Sequence, residues 1–296
     1  MRKKSTGMKV FTVFNYLFLA FLAVSCLLPI VNQLAISFSS SAAVAAGEVG
    51  LWPVDFTLDS YKYMADKAEY WKSLLVSVER VLLAVPMSML VCVLAAFPLS
   101  RLDREFPARK VYIWIFVIPM LIGGGLIPSY MVVRETKLIN SIWALVVPNC
   151  VNVFNVILLM NFFRSLPKEL EEAAYVDGAT NWKVLWKIIL PISKPVLATV
   201  TLFVIVNHWN AWFDGILYIN SPSKYPLQTY LATIVQDANM SNMRNLSEEK
   251  LQQLAVLSDK SVRIAQIFLG ALPIMLVYPF LQKYFIKGLV VGSVKG

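Results

Sequence analysis

Charge is what this sequence lacks most. Asp, Glu, Lys and Arg make up 15% of its 296 residues, against roughly a quarter in an average soluble domain. Between Val10 and Gly47 there is no charged residue at all. With 58% hydrophobic residues and a mean hydropathy of +0.63, the bilayer rather than water must be the main solvent. Histidine is nearly missing, with His208 alone, and the three cysteines (Cys26, Cys92, Cys150) lie in apolar runs without metal-site spacing. No GxxxxGK[ST] or HExxH pattern occurs, which excludes a phosphate-cradling loop or a zinc hydrolase site of these kinds. The chain is therefore not expected to hydrolyse ATP, to bind a cofactor or a metal, or to be an enzyme.

What is present is a series of six apolar stretches, about Val10 to Ser37, Ser73 to Leu99, Val111 to Val132, Ile142 to Phe163, Pro191 to Phe213 and Ala265 to Phe285. Each approaches or exceeds the roughly 20 residues that a spanning helix needs. The basic start (Arg2, Lys3, Lys4, Lys9) and Ala43-Val44-Ala45 resemble a secretory signal with a cleavage site. The apolar run is longer than the usual 7 to 15 residues of such a signal, which favours a retained helix. The expected fold is all-α: a polytopic membrane protein of about six transmembrane helices. Residues 1–9 form the N-terminus, 10–290 the transmembrane domain with a loop at 164–190, and 291–296 the tail. Placing the N-terminus in the cytosol puts sixteen basic residues in the inner segments and ten in the outer ones. That bias predicts an N-in, C-in topology. The inner face is then +10 and the outer face neutral, so the net charge of +9 is a topology signal and not a nucleic-acid patch.

Several stretches carry helix breakers: Pro86 in the second, Gly123-Gly124-Gly125 and Pro128 in the third, Pro148 in the fourth. Broken backbone at membrane depth is tolerated where it is buried in protein or lines a water-filled cavity. A transport pathway explains it, and so does kinked packing between close helices.

The loop between the fourth and fifth stretches, Leu166-Pro167-Lys168-Glu169-Leu170-Glu171-Glu172-Ala173-Ala174-Tyr175-Val176-Asp177-Gly178, has the grammar of a short helix. Ser165 is a candidate N-cap, Pro167 fits the first turn, and three glutamates sit toward the positive end of the helix dipole. Ala173 and Ala174 offer a small close-approach surface, and Gly178 can end the helix in the left-handed conformation. A second run, Asn181 to Leu190, sets Trp182, Val184, Leu185, Trp186, Ile188 and Ile189 beside Lys183 and Lys187. It reads as an amphipathic segment along the inner membrane surface, with Pro191 opening the next span.

Glu172-Ala173-Ala174, three residues, Gly178, nine residues, then Ile188-Ile189-Leu190-Pro191 resembles the EAA loop of the permeases of binding-protein-dependent ABC importers, at every fixed position of E-A-A-x3-G-x9-I-x-L-P. The resemblance implies that this loop is a coupling helix seated in a cleft of a separate ATPase. Glu172 would then make a polar contact, Ala173 and Ala174 would pack in the cleft, and Gly178 would permit the turn, with Asp177 beside it and Ile188, Leu190 and Pro191 completing the motif. It also implies alternating access, a second homologous permease subunit, two ATPase subunits holding ATP and magnesium, and an extracytoplasmic solute-binding protein. The external segments Phe38 to Lys72 and Leu217 to Ser261 are the sizeable surfaces for that protein, with Tyr225 to Met243 as a region of interest.

Other segments resemble the carbohydrate branch that includes the smaller maltose-transporter membrane subunit. Ala96-Phe97-Pro98-Leu99-Ser100-Arg101 is similar to A-Y-A-L-S-R, departing at Phe97 and Pro98, and the tail from Lys283 to Gly296 is similar to that branch's ending. The likeness implies that the tail makes a second ATPase contact; a basic membrane-surface tail is the alternative. Tyr278 to Phe285 and Trp209 to Asp214 resemble the subgroup that handles oligosaccharides from complex polysaccharides, including uronate-containing ones such as alginate or pectin fragments. On the fifth stretch, helical spacing sets Asn207, Asn210 and Asp214 on one face, with His208, Trp209 and Trp212 nearby. These side chains suit either a saccharide path or hydrogen bonds between helices. Arg80, next to Glu79, is expected to snorkel or to pair with a partner subunit rather than to touch substrate. A permease for amino acids or another small solute is the alternative function. A self-contained secondary transporter is less favoured, because no internal repeat is evident.

Overall fold

The computed structural model describes residues 6–239 and 260–293, and these contain helices and no strands. In chain order they are α1 (Thr6–Ser37), α2 (Ser41–Ala46), α3 (Asp59–Ala65), α4 (Ala68–Leu99), α5 (Arg109–Leu121), α6 (Leu126–Glu135), α7 (Trp143–Val146), α8 (Val153–Ser165), α9 (Glu169–Val176), α10 (Asn181–Val184), α11 (Leu190–Ile192), α12 (Lys194–Asn210), α13 (Phe213–Tyr218), α14 (Leu227–Asn239) and α15 (Lys260–Ser293). Among the described residues, α1 and α4 are long and apolar enough to cross a membrane unbroken, and three bent helix pairs reach that length if each is one span.

Two bends fall at expected breakers, one lies at Ser193 between Pro191 and Pro195, the break at Ala211 has neither glycine nor proline, and Pro86 lies inside the unbroken α4. α5 and α6 meet at 117° across Gly123-Gly124-Gly125, where Gly125 adopts φ +84, a value that a side chain would oppose. Pro148 lies in the 3-10 turn Val147–Asn149 between α7 and α8, which are bent by 47°. The fifth stretch departs from expectation at both ends. Its spanning helix begins at Lys194 after an 82° bend at Ser193, and it stops at Asn210 instead of running on to Phe213.

The chain forms two compact units. In the first (residues 1–68 and 233–271), Phe38 stacks on Phe56 and Tyr61, and Ser37 Oγ shares a 2.8 Å hydrogen bond with the Tyr61 hydroxyl. Gln266 Nε2 donates to Met64 Sδ at 3.4 Å, with both side chains buried.

The second unit (69–232 and 272–296) is organised by α4. Its buried residues Ser73, Ser77, Arg80, Ala84, Ser88, Cys92 and Ala96 recur every three or four positions. They form one stripe, bounded at its ends by the buried Tyr70 and Leu99, and between these every member but Arg80 is small. Lipid tails are as apolar as leucine, so helices in a bilayer associate by close packing and hydrogen bonds rather than by escape from water. A small-residue stripe lets neighbouring backbones approach. Cys92, Val93, Ala96 and Leu99 of α4 join Val156, Leu159, Met160 and Phe163 of α8, Val184, Leu185 and Ile189 of the α10 segment, and Val196, Val200 and Val204 of α12 in one core. A second cluster holds Val133, Ala144, Leu145, Tyr218 and Ile219.

Candidate functional site

The loop that carries the motif folds as a short helix, though its first cap differs from the expected one. Ser165 is the last residue of α8, and its Oγ donates back to Phe162 O at 2.8 Å, so it does not cap α9. α9 begins at Glu169 without a side-chain cap, and its first turn keeps Glu169, Glu171 and Glu172. Its end is as read: Gly178 takes φ +75, Gly178 N donates to Tyr175 O at 3.0 Å, and Ala179 N donates to Ala174 O at 2.9 Å. Thr180 then caps α10, its hydroxyl accepting from Lys183 N at 3.4 Å.

Successive helical residues point about 100° apart, and this divides the alanine pair. Ala173 is exposed with Glu172, Asp177, Leu170 and Val176, whereas Ala174 is half-buried against the core below. Val176 is 88% exposed. Beyond α10, the π-helical turn Leu185–Ile189 inserts one residue into the ladder. It buries Leu185 and Ile189, leaves Ile188 and Leu190 half-buried, and leaves Pro191, Trp182 and Trp186 exposed.

Behind α9 lies a cleft of about 600 Å³, bordered by Arg101, Glu105, Arg164, Lys168, Glu171 and Glu172. Arg101 Nη1 donates to Glu171 Oε2, and its guanidinium carbon stands 4.3 Å from the centre of the Phe97 ring. Tyr175 donates to Asn181 Oδ1 at 2.6 Å. Partial burial raises the pKa of its phenol, which keeps the proton that this bond requires.

The second set of predicted residues surrounds Arg80, and here the expectation needs correcting. Arg80 neither snorkels nor waits for a partner subunit. It is wholly buried, and its guanidinium pairs with Asp214, with Nη1 also donating to Asp214 Oδ1 and to Ala211 O, both at 3.2 Å. Its Nε donates to His208 Nδ1 at 3.4 Å and its Nη2 to Leu145 O at 3.2 Å. Asp214 is not on one helical face with Asn207 and Asn210, because the backbone turns extended at Ala211 (ψ 120) and Asp214 belongs to the first turn of α13. His208 and Trp209 are buried, whereas Asn207, Asn210 and Trp212 are exposed on the chain's own surface. Asn140, at φ +60, ties down the chain that follows α13: its N–H donates to Tyr218 O at 2.8 Å, and its Oδ1 accepts from Asn220 N and Ser221 N. Nothing in the local sequence announced the partners of Arg80 or the role of Asn140, because those partners lie far along the chain.

The tail from Lys283 to Gly296 lies partly outside the described residues, at 294–296, as does much of the external region, at 240–259. Among the described residues, no group of His, Cys, Asp and Glu could hold a metal ion.

Comparison with known proteins gives this geometry its context. Residues 63–291 match the family described as binding-protein-dependent transport system inner membrane component. Protein LplC of Bacillus subtilis (strain 168) is 39% identical over 290 residues, 97% of this chain and 96% of its own length. The polygalacturonan/rhamnogalacturonan transport system permease protein YtcP of the same organism is 38% identical, over 97% and 99%. A chain in the crystal structure of a bacterial ABC transporter involved in the import of the acidic polysaccharide alginate superposes with a TM-score of 0.83 at 31% identity, covering 96% of this chain and all of that one.

Proposed function

The chain belongs to the family of binding-protein-dependent transport system inner membrane components, and on that premise we propose that it crosses the membrane six times, with both termini in the cytosol, and carries oligosaccharides cut from acidic polysaccharides. It is a non-catalytic, multi-pass permease subunit of an ATP-driven sugar importer in the bacterial inner membrane, and hydrolysis belongs to a separate ATPase. A second permease subunit and an extracytoplasmic binding protein complete the assembly. ATP and magnesium bind the ATPase subunits.

The substrate class rests on one observation. Two full-length likenesses above 30% identity, to a permease for polygalacturonan/rhamnogalacturonan and to an alginate importer, both concern polymers of acidic sugars. The exposed amides of Asn207 and Asn210 and the exposed ring of Trp212 fit hydroxyl groups and apolar sugar faces. Arg80 is spent on Asp214 inside the chain, so it is not the group that reads a uronate.

In this account the exposed face of α9, with Glu172, Ala173 and Asp177, seats in the ATPase, and Gly178 makes the turn that presents it. Closure of the ATPase dimer shifts the bundle from inward-open to outward-open. Substrate biases that equilibrium only as far as it binds the two states unequally. In proteoliposomes containing the whole transporter, uptake of labelled oligogalacturonides is expected, with malto-oligosaccharides and amino acids taken up far less. Uptake of the neutral sugars or amino acids in preference would refute the substrate class.

A further inference from the structure

We propose that Arg101 is the positioning residue through which the α9 loop drives α4, and that α4 carries the movement to the break at Ala211. The proposal rests on the coupling role of α9 argued above. α9 has no fully buried residue of its own, so few contacts hold it to the bundle. One is the half-buried Ala174 against the core, and another is the ion pair from Arg101 to Glu171.

An exposed pair would transmit little, because solvent screening and side-chain freedom leave such pairs weak. Here the two side chains are only 15% and 16% exposed. The guanidinium is also fixed against the Phe97 ring, and its Nη2 is buried with no hydrogen-bond partner. A charge so placed resists separation from Glu171, since breaking the pair leaves it half-buried without its bonded anion.

From this anchor α4 runs as one helix back through Arg80, roughly 28 Å from Leu99 at 1.5 Å per residue. Along that length its small-residue stripe packs against neighbours. At Arg80 the helix grips Ala211 O and Asp214 on either side of the place where α12 gives way to α13. One continuous helix, carrying Pro86 and Pro98 within it, thus lies between a cation two residues past its end at the α9 loop and a second cation at the break beside the exposed Asn210 and Trp212. Arg101 N donates to Pro98 O at 3.2 Å, so a push on α9 reaches the candidate substrate face through that turn and this one helix.

The test uses the assembled transporter with its ATPase, second permease and loaded binding protein. Arg101→Ala is expected to lower substrate moved per ATP roughly tenfold, a loss typical of a coupling free energy, with the ATPase still co-purifying at the unaltered yield. Exchanging the charges, Arg101→Glu with Glu171→Arg, is expected to recover most of the ratio. An unchanged ratio in Arg101→Ala, or an exchange no better than its single members, overturns the linkage. So does loss of the ATPase from the Arg101→Ala complex, which would make Arg101 part of docking instead. Glu172→Lys reports separately on the role of α9: if it couples as the unaltered protein does, that role fails whatever Arg101 shows.

Discussion

A guanidinium with no exposure inside a membrane protein is stable only when its donors find acceptors, and Arg80 finds them in Asp214, His208, Ala211 and Leu145. Arg80→Ala removes the cation and leaves Asp214, 13% exposed, facing vacated space. A loss of about 3 kcal/mol in stability is expected, as for one partner of a buried pair, read as a lower unfolding temperature in detergent. Arg80→Met with Asp214→Leu should recover most of it, because an apolar pair strands no charge; a double variant as unstable as the single one would contradict the account. The sequence showed Arg80 as an isolated cation because its carboxylate is 134 positions away and because the turn that brings it near, at Ala211-Trp212, contains neither glycine nor proline. Gly178 was legible for the opposite reason. A helix stop needs one left-handed residue, and the cause lies in the residue itself. Gly178→Val should cost about 1–2 kcal/mol at φ +75 and lower ATP-driven uptake, while membrane insertion followed by a fusion reporter stays unchanged.

The elements carry a pattern that a search for polar breakers passes over. Ser73, Ser77, Ala84, Ser88, Cys92 and Ala96 are spaced to make α4 a close-packing surface, and all are buried. Ala84→Leu is expected to destabilise by about 1–3 kcal/mol through overpacking, whereas Leu82→Ala, at a position 68% exposed, should be nearly neutral in thermal unfolding. Equal effects would mean that α4 does not present that stripe to its neighbours. The existence of α9 and its order of charges were legible from local propensity, and its end was set by Gly178. Its first cap was not, because Ser165 has a competing carbonyl one turn back in α8 and sequence alone does not rank the two. The π-helical turn at Leu185–Ile189 was equally hidden, since one inserted residue leaves the apolar pattern nearly intact. Trp182, just before it, and Trp186, within it, remain exposed. If α10 lies on the membrane surface, brominated lipids should quench their fluorescence, and Trp182→Phe with Trp186→Phe should remove that part of the quench.

For the molecule as a whole, the apolar stretches set the class, and the excess of basic residues on alternate loops sets an orientation that labelling can check. A cysteine in place of Thr180 should react with an impermeant maleimide only after permeabilisation, and one in place of Gly50 should react in intact cells; the reverse pattern would invert the topology. Glycine and proline marked where the third and fourth stretches break, but not how far: three helix pairs, each long enough to be one span, are bent by 47° to 117°, and breakers in a sequence carry no angle. In the proposed mechanism those breaks are where a substrate path opens, and α9 is where force enters. The central claim, that this chain passes energy from a separate ATPase to a sugar path, is tested most directly by the ATPase rate of the purified complex in nanodiscs, with and without oligogalacturonide-loaded binding protein. The account predicts that the loaded binding protein raises the rate severalfold and that Glu172→Lys abolishes the rise; an ATPase that does not co-purify, or a rate indifferent to both, would contradict it.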